Sequence, residues 1–343
     1  MLGAALISTP CLAQTYGLEP ITLEAHADAA DYASSARMIN HLPLPRASSH
    51  WRLCAVFPHI KDEYWLSVDY GMVEEARRLG VALNVVETGG YNSAAAQAAA
   101  LRRCDGDAAI LGTVSYDGAE VLSAIRDVSR RMPVIAAVND VASADVAVKI
   151  GVSWREMGSA LGEWLSQRHP SGSKPQRAVL ATGPRTAGWV SVLSRGLEEA
   201  LRNSSVGIVE TGWADTGAQQ QLALAEDLLE RNGSIDYFIG SAPAAEAVVS
   251  LMMTRGTAPA AAVVATYYTQ AIRRGMMRGH IQAAPFDDPA LQGRLAVEYA
   301  VRAIEGAVDH RQLGPPVVLA TKDTLPPRAA LAPADFRPVF VLP

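Results

Sequence analysis

From Arg52 onward the chain keeps one rhythm: short apolar, β-branched runs alternate with longer segments of helical period. The runs are LCAVF (53–57), ALNVVE (82–87), AAILG (108–112), PVIAAV (133–138), DVAVKIG (145–151), RAVLAT (177–182), VGIVE (206–210), IDYFIG (235–240) and AAVVAT (261–266). The clearest helical stretch runs from Glu63 to Gly80, where Trp65, Val68, Met72, Ala76 and Leu79 recur every three or four residues and Gly80 closes the end. Such alternation constrains the fold to parallel sheets with helices on both faces.

About ten strand–helix units are too many for one comfortable sheet. The 343 residues, 49% of them hydrophobic, suffice for two cores. The predicted class is therefore α/β, with two Rossmann-like lobes built on parallel sheets. Residues 52–150 and 285–313 are assigned to lobe one, and 151–284 and 314–343 to lobe two. The crossings fall near Gly151–Ser153, Ala284–Asp288 and Leu313–Pro316. Residues 14–51, with Pro43 and Pro45, read as an N-terminal arm with little regular structure. Residues 1–13, MLGAALISTPCLA, read as the remnant of a secretory signal peptide, with small residues at Cys11 and Ala13; the other reading is a leader of no significance.

The net charge of −5 and the lack of any long Lys/Arg run argue against a nucleic-acid or membrane-surface partner. No stretch of 18 apolar residues predicts a membrane span. There is no G-x-S-x-G, H-E-x-x-H, P-loop or G-x-G-x-x-G after a strand, and the histidines are scattered, so neither catalysis nor a metal or cofactor is expected. The Gly89–Gly90 pair and ATGPR (181–185) follow strands; each reads as a plain turn or as a source of backbone N–H groups for a ligand. If Cys11 leaves with the leader, Cys54 and Cys104 remain. They are either buried thiols or, in an oxidising compartment, a bridge closing a loop of about 50 residues, worth about 4 kcal/mol.

Aromatic residues make up only 6% of the chain, so their placement carries information. Tyr64 and Trp65 open the first helix, Tyr91 ends the loop after the second strand, Trp154 opens the first helix of lobe two, and Tyr267 and Tyr268 end the strand AAVVAT. All lie at carboxyl ends of predicted strands, where α/β folds bind ligands. Gathered, they form an aromatic box suited to a methylated, positively polarised nitrogen; taken singly, each is also explained as core packing. Asp62 reads as a helix cap or a ligand contact, and Asp287 as a ligand contact or a hinge support.

Several segments resemble the TorT family of periplasmic trimethylamine N-oxide-binding proteins. They are LCAVFPHIKDEYWLSVDYGMVEEARRLGV (53–81), VVETGGY (85–91), GVSWREMG (151–158), AIRRGMMRGHIQAA (271–284) and DFRPVF (335–340). The resemblance covers roughly residues 50 to 341. It implies a ribose-binding-protein-like, type I periplasmic binding protein architecture with three crossovers. It also implies trimethylamine N-oxide as ligand, a periplasm location, and the periplasmic sensor domain of a membrane histidine kinase (TorS-like) as partner, inducing anaerobic respiration genes. By motif, it carries ligand-binding roles to Tyr64, Trp65, Asp62, Tyr91 and Trp154. Tyr267 is the best match for the tyrosine after the VV strand, with Tyr268 as its rival. Asp287 matches an acidic position, and Cys54 and Cys104 a cysteine pair. The segment APFDDPALQG (284–293) departs from the family pattern. The alternative function is a solute-binding protein that delivers a sugar or quaternary amine to a permease.

Overall fold

The computed structural model describes residues 18–26, 32, 34–255 and 261–343; the signal-like leader lies outside them. The chain opens with an antiparallel pair, β1 (Ile21–Ala25) and β2 (Arg37–His41). It then enters the alternating region: β3 (Arg52–Phe57), α1 (Glu63–Leu79), β4 (Ala82–Glu87), α2 (Ala94–Arg102), β5 (Ala108–Leu111), α3 (Ala119–Ser129), β6 (Val134–Val138) and β7 (Val148–Gly151). From there it crosses to the second lobe: α4 (Trp154–Arg168), β8 (Gln176–Thr182), α5 (Gly188–Leu201), β9 (Val206–Trp213), α6 (Ala218–Asn232), β10 (Tyr237–Gly240), α7 (Ala242–Arg255), β11 (Ala262–Ala265), α8 (Gln270–Met277) and β12 (Ala283–Phe286). It returns through α9 (Pro289–Ile304) and β13 (Gln312–Gly314), crosses again to β14 (Val318–Thr321), and ends in β15 (Val341–Leu342).

The first sheet has the order β15-β4-β3-β5-β6-β7-β13-β1-β2, and its heart from β4 to β13 is parallel. Every residue of β5 and β6 is buried, because helices cover both faces. The second sheet, β11-β10-β8-β9, is wholly parallel. Beside it β12 and β14 pair antiparallel. Both lobes are thus α/β with parallel sheets. Among the described residues no helix is long and apolar enough to cross a membrane.

Two expectations are corrected. The N-terminal arm is not irregular throughout: β1 joins β13 and buries Leu23 and Ala25, while β2 closes the sheet edge. The C-terminal tail does not stay with lobe two. Its β15 pairs with β4, the Val339 N–H donates to Asp69 on α1 at 3.1 Å, and Phe336 packs on Tyr70 of α1 at 5.2 Å between ring centres. The tail adds its strand to the β4 edge of the first sheet and lays Phe336 and Val339 against α1. Cys54 in β3 and Cys104 after α2 are joined as a disulfide, with Cα atoms 5.7 Å apart.

Each lobe sets its site-bearing helices by close approach at glycines. On α1 and α9, a Cβ at Gly71 would sit 1.9 Å from the Ala290 carbonyl oxygen, and one at Gly293 would sit 2.1 Å from that of Val68. On α4 and α5, a Cβ at Gly158 would sit 2.0 Å from the Leu193 oxygen, and one at Gly196 would sit 2.0 Å from that of Arg155. Only residues without a side chain let the backbones meet this closely. In lobe two this brings the amino ends of α4 and α5 side by side.

Candidate functional site

Six aromatic rings from both lobes gather on one interlobe cavity, and none is more than 6% exposed: Tyr64, Trp65, Tyr91, Trp154, Trp189 and Tyr267. Asp62, Val138, Asn139 and Thr216 complete the lining, and the rings close in on one another so that little free space is left between them. The ring centres are close-set: Tyr64 to Tyr267 at 5.5 Å, Trp154 to Trp189 at 5.1 Å, Tyr64 to Trp154 at 6.3 Å, and Trp189 to Tyr267 at 6.1 Å. The Tyr64–Tyr267 and Trp189–Tyr267 pairs are edge-to-face, the arrangement ring quadrupoles favour.

The positions follow from the strand–helix repeat. Trp65, Trp154 and Trp189 each stand in the first turn of a helix that follows a strand. Asp62 caps α1, its Oδ1 accepting the Trp65 N–H at 3.0 Å, and Ser153 caps α4 through the Glu156 N–H. Glycines at strand ends make room for two indoles. A Cβ at Gly112, after β5, would lie 2.4 Å from Trp65, and one at Gly183, after β8, would lie 2.4 Å from Trp189. Val138 takes a left-handed conformation (φ 68°), a costly one for a β-branched residue, and its carbonyl accepts the Trp154 indole N–H at 3.4 Å.

Polar groups behind the rings fix them. The Tyr64 hydroxyl donates to Asp287 Oδ2 at 2.6 Å, and the Gln292 amide donates to the same oxygen at 2.9 Å. The Tyr91 hydroxyl accepts from Trp65 Nε1 at 3.2 Å and from Asn139 Nδ2 at 3.3 Å. His59 Nδ1 accepts the Lys61 N–H, so Nε2 carries the proton and donates to Thr216 Oγ1 at 2.9 Å, a bridge between lobes. Burial raises the Asp62 carboxyl above its ordinary value, and hydrogen bonds from Trp65 and Thr216 hold it back only in part. Burial pushes Asp287 up to about 6.

Of the residues singled out in the sequence, the structure brings together Asp62, Tyr64, Trp65, Tyr91, Trp154 and Tyr267. Tyr268 is not among them. Neighbours at a strand end point to opposite sides, and Tyr268 packs on Phe286 at 5.4 Å, with Arg273 donating to its hydroxyl. Asp287 stands behind Tyr64 and outside the lining. Trp189 belongs to the lining without being among the residues singled out in the sequence; the ATGPR run before it reads as a turn or as a source of backbone N–H groups. The signal was present, since Trp189, like Trp154, stands in the first turn of the helix that follows its strand.

Two α/β lobes closed over a ring-lined cavity define a ligand-binding protein of the periplasmic type. Residues 54–307 match the periplasmic binding protein domain, and the chain belongs to that family. More narrowly, it is 35% identical over 305 residues to the periplasmic protein TorT of Escherichia coli O157:H7, covering 87% of this chain and 86% of that one. The TorT of strain K12 is equally similar over 301 residues. Three of the similar solved structures share 35% identity with it. A solute-binding protein of an ABC transporter from Bradyrhizobium sp. BTAi1, with bound Bis-Tris, has a TM-score of 0.79 and covers 95% of this chain and 98% of its own. The TorS sensor domain–TorT complex has a TM-score of 0.76, covering 84% and 99%, and is known both without ligand and with trimethylamine N-oxide.

Proposed function

We propose that this chain is a periplasmic sensing protein that binds trimethylamine N-oxide between its lobes and presents the closed form to the periplasmic sensor domain of a TorS-like histidine kinase, inducing anaerobic trimethylamine N-oxide respiration. It performs no chemistry on the ligand. One observation carries the reading: six buried rings converge on a single interlobe cavity. Ring faces attract a trimethylated, positive nitrogen and pack its methyl groups without hydrogen bonds, at about 0.5 to 2 kcal/mol per dry contact. The roles of Asp62, Tyr64, Trp65, Tyr91, Trp154 and Tyr267 as its walls are part of this proposal, as is that of Asp287 in holding Tyr64. The TorT relatives and their sensor-domain complexes support both the ligand and the partner.

Signalling follows from differential affinity. A ligand that touches walls from both lobes binds the closed form better than the open one and shifts the population toward it. The transport reading has the Bradyrhizobium relative in its favour. A sugar site, however, needs several bidentate partners, and the polar side chains of this lining are only Asp62, Asn139 and Thr216 beside the ring groups. The test is a thermal-shift panel with trimethylamine N-oxide, trimethylamine, betaine, choline and ribose. The amine oxide is expected to stabilise the protein and ribose to leave it unchanged; the reverse order would sink the assignment.

A further inference from the structure

The box rings differ in what their polar atoms do. Trp65 Nε1, Trp154 Nε1 and the Tyr64 hydroxyl all donate to protein acceptors. The indole N–H of Trp189 and the hydroxyl of Tyr267 do not: both are buried, and neither makes a hydrogen bond. The Tyr91 hydroxyl lies beside Trp189 and the Ala242 N–H beside Tyr267, close enough for each pair to interact, but without reaching hydrogen-bond geometry. Buried polar groups without a partner call for an explanation, and these two stand out from others in the chain because, with Asn139 Oδ1, they belong to the cavity lining. The two rings are 6.1 Å apart on the same cavity wall, both from lobe two. Burial also holds the Tyr267 hydroxyl in its protonated form, able to donate.

We infer that the Trp189 indole N–H, with the Tyr267 hydroxyl beside it, receives the oxide oxygen of the ligand, and that Trp189 is the residue by which the cavity tells an amine oxide from amines and ammonium ions of the same shape. This rests on the proposed function above. An amine-oxide oxygen is an acceptor without hydrogen. Protonated trimethylamine places an N–H donor there instead, and tetramethylammonium a methyl group. A tyrosine hydroxyl can turn to accept from a donor, but an indole N–H can only donate. Trp189 is therefore the discriminating member of the pair. The close α4–α5 contact at Gly158 and Gly196, and the space left by Gly183, hold its ring in that place.

The test is titration calorimetry of the wild-type protein and Trp189→Phe with trimethylamine N-oxide and with tetramethylammonium chloride. Phenylalanine keeps a ring and removes the donor. The amine oxide is expected to weaken by about 10- to 100-fold, the size of one hydrogen bond to a charged acceptor. Tetramethylammonium is expected to change little. Equal losses for both ligands, or no loss for either, would overturn the donor role while leaving the box in place. A wild-type protein that binds no amine oxide would overturn the ligand itself, a different failure. Should the variant not fold, the same point is read on the wild type by NMR: the Trp189 indole proton must move downfield with the amine oxide and not with tetramethylammonium, and an unmoved proton rejects the inference.

Discussion

Tyr64 shows how one residue serves both fold and site. Its ring faces the cavity, and its hydroxyl is bound behind it to a carboxyl outside the lining. That carboxyl, Asp287, has its pKa raised by burial to about 6, against about 3.9 in an unfolded chain. Folding thus favours the protonated form. The associated stability is full below about pH 4 and is lost as pH climbs to about 6, at most about 3 kcal/mol for two units. Asp287→Asn removes this dependence while keeping an oxygen for the Tyr64 hydroxyl. Urea unfolding at pH 4 and pH 7 should find the variant near the wild type at the lower pH and more stable at the higher. Asp69, raised to about 6 by the same cause, stays in both proteins and cancels in the difference. No gain at pH 7 would mean that Asp287 is not burdened by burial. The carboxyl's partner could not be read from the sequence: Tyr64 and Asp287 are 223 positions apart. Nor could the choice between Tyr267 and Tyr268, since two adjacent tyrosines are alike until the strand is placed. Most of the box was legible because carboxyl strand ends can be located from periodicity alone.

The legible elements were the longer apolar runs; β12 and β13, though buried throughout, fall where the sequence reads as lobe crossings. Strands β3 to β11 are apolar runs, and each was located within a few residues. The edge strands β1, β2 and β15 were not foreseen. Arg37–His41 holds a single partly buried aliphatic residue, Ile39, between exposed ones and a buried histidine, too little to read as a strand, and Val341–Leu342 is too short to carry a pattern. What no sequence pattern could supply is the distance between helices, which glycines set. Gly196→Ala tests this. In an open helix the change would gain up to about 1 kcal/mol. Here the new methyl meets a backbone carbonyl at 2.0 Å, which cannot turn aside as a side chain would, and overpacking of this kind costs about 1 to 3 kcal/mol. The clash wins. A lower melting temperature is expected, together with weaker ligand binding, because α5 carries Trp189 away from Trp154. Gly207→Ala, on the exposed part of β9 with nothing within 4 Å, should leave both unchanged. If Gly196→Ala stabilises the protein instead, the helices have room that the close contact denies.

At the scale of the molecule, the two lobes meet through the box and through polar contacts around it. His59 bonds Thr216 at 2.9 Å, Asn92 meets Thr186 at 3.0 Å, Lys61 lies 3.6 Å from Asp215, and Glu63 pairs with Arg274 at 3.1 Å. These contacts favour the closed form before any ligand enters. The apparent dissociation constant is the intrinsic one divided by the closed fraction, so a contact far from the ligand still tunes affinity. The Glu63–Arg274 pair can be removed at Arg274, which also lies 3.8 Å from Glu246, while Glu63 keeps the Ala271 N–H. Its side chains are 36% and 47% exposed, so solvent screens it and its worth is about 0.2 to 1 kcal/mol. Arg274→Ala should therefore weaken trimethylamine N-oxide binding by no more than about fivefold. The difference from the wild type should shrink as salt rises, because screening already weakens the pair. Small-angle scattering without ligand should show a larger radius for the variant, and saturating ligand should return both proteins to the same radius. A hundredfold loss that salt does not alter would place Arg274 in the ligand's own contacts and not in the closure of the lobes. An unchanged radius and affinity would mean that the rings alone hold the lobes together.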